Sequence, residues 1–107
     1  MRFEIVLAPA AATAFRGLPA RQRAQVRDGL ETHLRHLRTR VSKSRIKRLR
    51  GMRQPEYRLR IGEIRVFYDV RNETVEVLAI VTKAQAQTWL EEKAASDADR
   101  GTGEGER

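Results

Sequence analysis

Tyr57-Arg58-Leu59-Arg60-Ile61 alternates apolar and charged residues without a break, and after Gly62-Glu63 the alternation resumes through Ile64-Arg65-Val66-Phe67-Tyr68-Asp69-Val70. Period-two alternation over runs of this length predicts strands with one buried face. Gly62-Glu63 is a two-residue connection with Gly first, which suits a type II′ hairpin turn. Asn72-Glu73 predicts a second turn, and Thr74 to Val81 the last strand. Upstream, Arg2 to Leu7 is rich in β-branched and aromatic residues and reads as a first strand. Pro9 is tolerated in a first helical turn, so Ala8 to Arg16 predicts a helix ending near Gly17.

A second helix opens at Leu18-Pro19. In it Val26, Leu30, Leu34, Leu37 and Val41 recur every three or four positions as one apolar stripe, with Arg21, Arg35 and Arg38 off it. Gly29 inside this helix costs about 1 kcal/mol relative to Ala, and a close approach to the neighbouring helix would account for it. Lys83 to Ala95 predicts a final helix anchored by Trp89 and Leu90. The order β-α-α-β-β-β-α describes an α+β domain over residues 1–95: a small antiparallel β-sheet, two N-terminal helices packed on one face, and a C-terminal helix. Residues 96–107, polar and Gly-rich, are expected to form a disordered tail.

The turn at Gly62-Glu63 fixes a register in which Ile61 meets Ile64, Arg60 meets Arg65, Leu59 meets Val66, Arg58 meets Phe67 and Tyr57 meets Tyr68. Directly opposed residues share a face. Tyr57, Leu59, Ile61, Ile64, Val66 and Tyr68 therefore form the core side; Arg58, Arg60, Arg65 and Phe67 form the other. A two-residue turn at Asn72-Glu73 carries the core side on through Val75, Val77 and Ala79, and leaves Leu78 beside Phe67 and Ile80 beside Arg65 on the open side.

Charge gives that open side a meaning. The chain of 107 residues carries 22 Lys and Arg against 14 Asp and Glu, net +8, and a pI near 11.0. Such a charge on a small domain attracts polyanions, nucleic acid or an acidic protein. Arg60 facing Arg65 is an unfavourable cross-strand pair by itself, and Arg58 flanks it beside an exposed Phe67. Guanidinium groups contact phosphate bidentately and an exposed ring can stack a base. A solvated basic face is the plain alternative. The connector Ser42 to Gly51 adds Lys43, Arg45, Lys47, Arg48 and Arg50, either a solvated loop or a phosphate-contacting rim.

Other chemistry is poorly supplied. Cysteine is absent, which excludes disulfides and thiolate metal sites. His33 and His36 are too few for a zinc site and read as surface or boundary residues. No cofactor or metal is expected. No apolar run approaches a membrane span and no signal-peptide layout opens the chain, so a cytoplasmic location is expected. No acid–base pair flanks the basic face. A nuclease built on it would position the RNA for attack by its own 2′-hydroxyl and stabilise the pentavalent phosphate with cations.

The stretch from Arg48-Leu49-Arg50-Gly51 through Tyr57-Arg58-Leu59-Arg60-Ile61-Gly62-Glu63-Ile64-Arg65-Val66-Phe67-Tyr68, followed by an apolar strand ending Ile80-Val81-Thr82-Lys83, resembles the central signature of the RelE/ParE toxins of bacterial type II toxin–antitoxin pairs. In the RelE branch the resemblance implies a metal-independent, ribosome-dependent mRNA endoribonuclease that inhibits translation. Arg58, Arg60, Arg65 and Lys83 then occupy the catalytic positions, and Lys47, Arg48, Arg50 and Phe67 contact RNA. Ala84 and Leu90 stand where well-known RelE proteins carry a further catalytic Arg and a Tyr. The alternative is a ParE-like DNA gyrase inhibitor, or a catalytically weakened member acting through its antitoxin. Either way the resemblance implies a cognate antitoxin in a hetero-oligomer, with Phe67, Leu78 and Trp89 as its apolar anchors.

Overall fold

The structure is a computed structural model that describes residues 2–36 and 45–105. In chain order it contains β1 (Glu4–Leu7), α1 (Pro9–Gly17), α2 (Ala20–Leu34), β2 (Ile46–Arg48), β3 (Tyr57–Ile61), β4 (Ile64–Arg71), β5 (Thr74–Thr82) and α3 (Lys83–Gly105). The expected α+β architecture is present, with three differences. The sheet has five strands in the order β1-β5-β4-β3-β2, because Ile46–Arg48 pairs antiparallel with β3. It is mixed rather than antiparallel, since β1 runs parallel to β5. The backbone of α3 continues helical to Gly105, past the expected stop near Ala95 and through much of the stretch expected as a tail. Leu37, Arg38, Val41 and Lys43 lie outside the described residues.

The β3–β4 hairpin has the expected register from Tyr57↔Tyr68 to Ile61↔Ile64. Gly62 takes φ +56 and Asn72 φ 54, so each turn has its left-handed residue first. The β4–β5 ladder departs from expectation. Val70↔Val75 and Tyr68↔Val77 hold, but a bulge then shifts the pairing to Phe67↔Ala79, Val66↔Ile80 and Arg65↔Val81. One extra residue in a strand reverses the face of everything beyond it. Ile80 therefore enters the core, 5% exposed, rather than flanking Arg65 on the open side.

The core lies between the sheet and the two N-terminal helices. Val26, Leu30 and Leu34 of α2 and Ala11 of α1 pack in one cluster with Leu59, Ile64, Val66, Tyr68, Val75, Val77 and Ile80. Tyr57 and Tyr68 stack with ring centroids 5.3 Å apart, and burial pushes the Tyr68 phenol well up. Gly29 is explained by a strand, not by the neighbouring helix: a Cβ there would lie 2.5 Å from Cδ1 and 2.9 Å from Cγ1 of Ile61. α2 thus rests on β3 at a distance only glycine permits. His33 is half-buried and His36 exposed at the end of this layer; burial, then the charge of Arg45, holds the His33 imidazole below its usual range.

Asp69, 1% exposed on β4, ties down the loop that enters β3. Its carboxylate accepts Gln54 Nε2 at 2.9 Å and the Glu56 N–H at 2.7 Å, while Arg71 approaches to 3.8 Å. The Leu49 N–H donates to the Glu56 carbonyl at 2.8 Å, which closes the loop at its base. Burial raises the Asp69 pKa, and the two hydrogen bonds hold it back. A carboxyl whose folded-state pKa is raised contributes stability below its unfolded pKa that is lost as pH rises through the folded one. Asp69→Asn, which cannot titrate, is therefore expected to show a larger stability deficit in acid than at neutrality. Its deficit at neutrality should be about 1 kcal/mol for the weakened acceptor. Urea unfolding at several pH values measures both; a deficit that shrinks in acid contradicts the assignment.

Candidate nucleic-acid interface

The face of the sheet away from α1 and α2 divides into three zones. The middle is closed. Phe67 is fully buried and stacked on Trp89 of α3, with centroids 4.8 Å apart and planes 7° from parallel. The expected exposed ring for base stacking is therefore not there: the helix that carries Trp89 covers it. Ala79 is buried on the same side, 5% exposed, opposite Phe67. Leu78 sits at the bulge and is half-buried.

One end of the face is closed by the loop held on Asp69, with Pro55 fully buried. The other end, around the Gly62-Glu63 turn, carries the cations. Arg60 is exposed and faces Arg65, as the register requires. Arg58 is half-buried, and its Nε is buried with no hydrogen-bond partner among the described residues. Burial first, then the charges of Arg65 and Arg60, pulls the Arg58 guanidinium below its usual range.

Arg65 differs from its neighbours. It is 7% exposed, and its Nη1 donates to the carbonyls of Gly62 at 2.8 Å and Ile64 at 3.1 Å. Of the three arginines placed on this face, Arg65 folds onto its own turn, while Arg58 and Arg60 do not. Lys83 is exposed at the start of α3, and its N–H donates to the Glu63 carbonyl at 2.7 Å, which joins the helix to the hairpin. Thr82 and Gln85 fix that start reciprocally: Thr82 N–H donates to Gln85 Oε1 and Gln85 N–H to Thr82 Oγ1, both at 3.2 Å. This is a capping box, and its signal in the sequence is the Thr82-Lys83-Ala84-Gln85 spacing. A cation in a first helical turn opposes the helix dipole, so Lys83 has an electrostatic cost there that a bound anion would offset.

The remaining expected RNA contacts separate by face. Lys47 pairs with Arg58 in the β2–β3 register and is exposed beside it. Arg48 instead lies at Tyr57, its guanidinium carbon 5.6 Å from the ring centroid and Nη1 3.4 Å from the phenol oxygen. Arg50 is exposed on the loop beyond β2. Asp69 and Glu76 are opposed in register on β4 and β5, and Asp69 is engaged by Gln54 and Glu56 rather than by Arg60. No cluster of three or more His, Asp or Glu is placed to hold a metal ion among the described residues, and no helix there is long and apolar enough to cross a membrane.

The fold is shared with toxins of solved structure. The chain aligns with the RelBE2 toxin–antitoxin complex of Mycobacterium tuberculosis at 22% identity and TM-score 0.63, covering 77% of this chain and 99% of that one. A RelE mutant of Escherichia coli in the free state aligns at 21% identity and TM-score 0.64, over 91% and 98% of the two chains. The archaeal RelE–RelB complex of Pyrococcus horikoshii aligns at 23% identity and TM-score 0.57, over 77% and 96%. No functionally curated protein matches in sequence. Residues 5–87, almost the whole folded domain, match the family described as the ParE toxin of type II toxin–antitoxin systems. The chain belongs to this family and is a toxin of the RelE/ParE superfamily.

Proposed function

We propose that the protein is a cytoplasmic inhibitor of translation that engages mRNA on the ribosome through Arg58, Arg60 and Lys83, with Lys47 extending the strip, and cleaves it without a metal. Arg58 carries this reading. A half-buried guanidinium with an Nε unpartnered among the described residues, two like charges beside it and a depressed pKa gives the scaffold nothing in return. A phosphate oxygen supplies both the missing acceptor and the missing countercharge. The cations would hold the backbone so that the 2′-hydroxyl lies in line with its phosphate, and would stabilise the charge that develops there. Ala84 and Leu90 leave proton transfer to solvent, which makes cleavage slow.

The second reading is gyrase inhibition, or action through antitoxin binding alone. Two observations weigh against the RNA reading: Phe67 is covered by Trp89 and cannot stack a base, and Arg65 is tied to its turn. Of the proposed antitoxin anchors, that stack leaves Leu78 as the apolar side chain without a ring partner. Cell-free translation decides between the readings. Ribosome-bound mRNA should be cut and protein synthesis should stop; normal translation with accumulating gyrase-linked DNA breaks identifies the other activity.

RNA binding should be steeply salt-dependent. With about three to five phosphates neutralised, log K should fall against log salt with a slope of roughly −2 to −4. Titration of a single-stranded oligoribonucleotide at several salt concentrations measures this, and a flat response removes the electrostatic basis of the reading.

A further inference from the structure

β1 lies at the end of the sheet, with β5 on one side and no strand on the other among the described residues. The N–H groups of Glu4 and Ala8 point inward, donating to the carbonyls of Glu73 at 2.9 Å and Val77 at 2.8 Å. Backbone polar groups alternate sides along a strand, so those of Phe3, Ile5 and Leu7 point outward. Phe3 is already satisfied: its N–H donates to the Arg35 carbonyl at 2.8 Å, and its own carbonyl accepts Arg35 Nη1 at 2.9 Å. Ile5 and Leu7 have no such cover among the described residues. Between them Val6 stands on the face away from the core, 42% exposed, a large apolar side chain left in water. Edge strands are normally blunted by a charge, a proline or a bulge, and Ile5-Val6-Leu7 carries none of these. We propose that this edge pairs with the same edge of a second copy of the chain, antiparallel about a two-fold axis at Val6.

The edge itself selects that register. A symmetric antiparallel pairing must bring outward-pointing residues opposite one another. Centred on Ile5, it would set Leu7 against Phe3, whose polar groups Arg35 already holds. Centred on Leu7, it would set Ile5 against Pro9, which has no N–H to give. Centred on Val6, it sets Ile5 of each copy against Leu7 of the other, and each such pair exchanges both of its N–H to carbonyl bonds.

Side chains agree with the backbone. Val6 meets Val6 of the second copy in the closely spaced, non-hydrogen-bonded position, and Glu4 meets Ala8, so no like charges are opposed. Ile5 and Leu7 meet on the helix side, next to a cleft of about 250 Å³ whose apolar lining they share with Phe15 and Leu30. The joint is therefore apolar on both faces of the sheet. Its short ladder buries little area, so the dimer is weak and concentration-dependent. β1 runs parallel to β5, which ends at Thr82 opposite Ile64 beside the Gly62-Glu63 turn. Antiparallel copies thus point their cation strips in opposite directions, away from the joint, and RNA binding does not require pairing.

The test is sedimentation equilibrium of the full chain over a wide range of concentration. Self-association should appear, and Val6→Lys, which sets two ammonium groups face to face at the axis, should weaken it by about tenfold or more. Val6→Glu should do the same. Mixing the two variants should restore pairing, because lysine then meets glutamate, a recovery that a damaged fold cannot produce. Register is read separately. The chain has no cysteine, and Val6→Cys should give a disulfide-linked dimer on mild oxidation, since Cα atoms in such a pair lie about 4.5 Å apart, within disulfide reach. Glu4→Cys, opposite Ala8, should not cross-link. A chain that is monomeric throughout overturns the proposal and leaves the edge to a strand of another protein. Association indifferent to both charged variants, or equal cross-linking at positions 4 and 6, overturns it as well. These measurements contain no RNA, so their failure is distinct from failure of the RNA reading.

Discussion

Arg58→Met should raise the melting temperature while weakening RNA binding by at least tenfold. Methionine keeps the unbranched stem that packs along the strand and removes the charge. The wild-type guanidinium is half-buried, its Nε has no partner among the described residues, and Arg65 and Arg60 both oppose its charge. Like charges at cross-strand distance cost about 0.2–1 kcal/mol per pair, and solvent screens part of this because Arg58 is not fully enclosed. A gain of about 1 kcal/mol corresponds to roughly 4–8 °C for a domain of this size. A charge-assisted contact to phosphate contributes about 1.5–3 kcal/mol, roughly tenfold to more than a hundredfold in affinity. Salt should narrow both differences. Arg60→Thr tests the exposed side of the same strip. It should melt at or slightly above wild type in low salt and also lose RNA binding, since Arg60 faces Arg65 and its loss relieves that pair. If either variant melts clearly lower with RNA affinity nearly unchanged, the arginine belongs to the scaffold and the functional reading of the strip fails.

The β3–β4 hairpin was legible because three signals agree: alternation, a Gly-first two-residue turn, and a register that buries every apolar side chain on one face. The next ladder was less so. From Val77 to Val81 the sequence reads Val-Leu-Ala-Ile-Val, apolar in both phases of the alternation. A strand that could face either way gives no warning of a bulge, and the one at Leu78 moved Ile80 into the core. β2 escaped notice because Ile46-Lys47-Arg48 has no pattern of its own; pairing with β3 makes it a strand. The parallel partnership of β1 with β5 is likewise non-local, since a strand's own residues do not record its neighbour's direction.

At the site, composition and register located the cations but not their surroundings. Phe67 was correctly placed opposite the core side, yet its cover comes from a helix begun sixteen residues later. Trp89 was the available signal: a large ring in a mostly polar helix needs an apolar surface, and Phe67 is the ring its face of the sheet offers. Arg65 is a different case. Register gives its face, and only the path of the side chain back to Gly62 and Ile64 distinguishes it from Arg58. A strip in which one guanidinium braces the turn while its neighbour stays unsatisfied combines scaffold and function within a single hairpin.

Gly29→Val should destabilise the domain by about 2–4 kcal/mol, although valine is the better helix former. Glycine costs α2 about 1 kcal/mol relative to alanine, so any helix interior without a constraint would gain from replacement. Here the first added carbon would lie 2.5 Å from Ile61 Cδ1 and 2.9 Å from Cγ1. Ile61 is 5% exposed and pairs with Ile64 beside the hairpin turn, so it has little room to retreat. Valine adds two further methyl groups with a restricted χ1 and cannot rotate them all away. The cause is separable from a general intolerance of side chains in α2. Ile61→Val removes the nearer Cδ1 atom and by itself should cost about 0.5–1.5 kcal/mol. Combined with Gly29→Ala it should cost less than the sum of the two single changes, with a favourable coupling of about 1 kcal/mol or more, because the second change vacates the space the first one needs. Urea unfolding of the two single variants and the double variant completes the cycle. Strict additivity would mean that Ile61 is not what keeps position 29 a glycine.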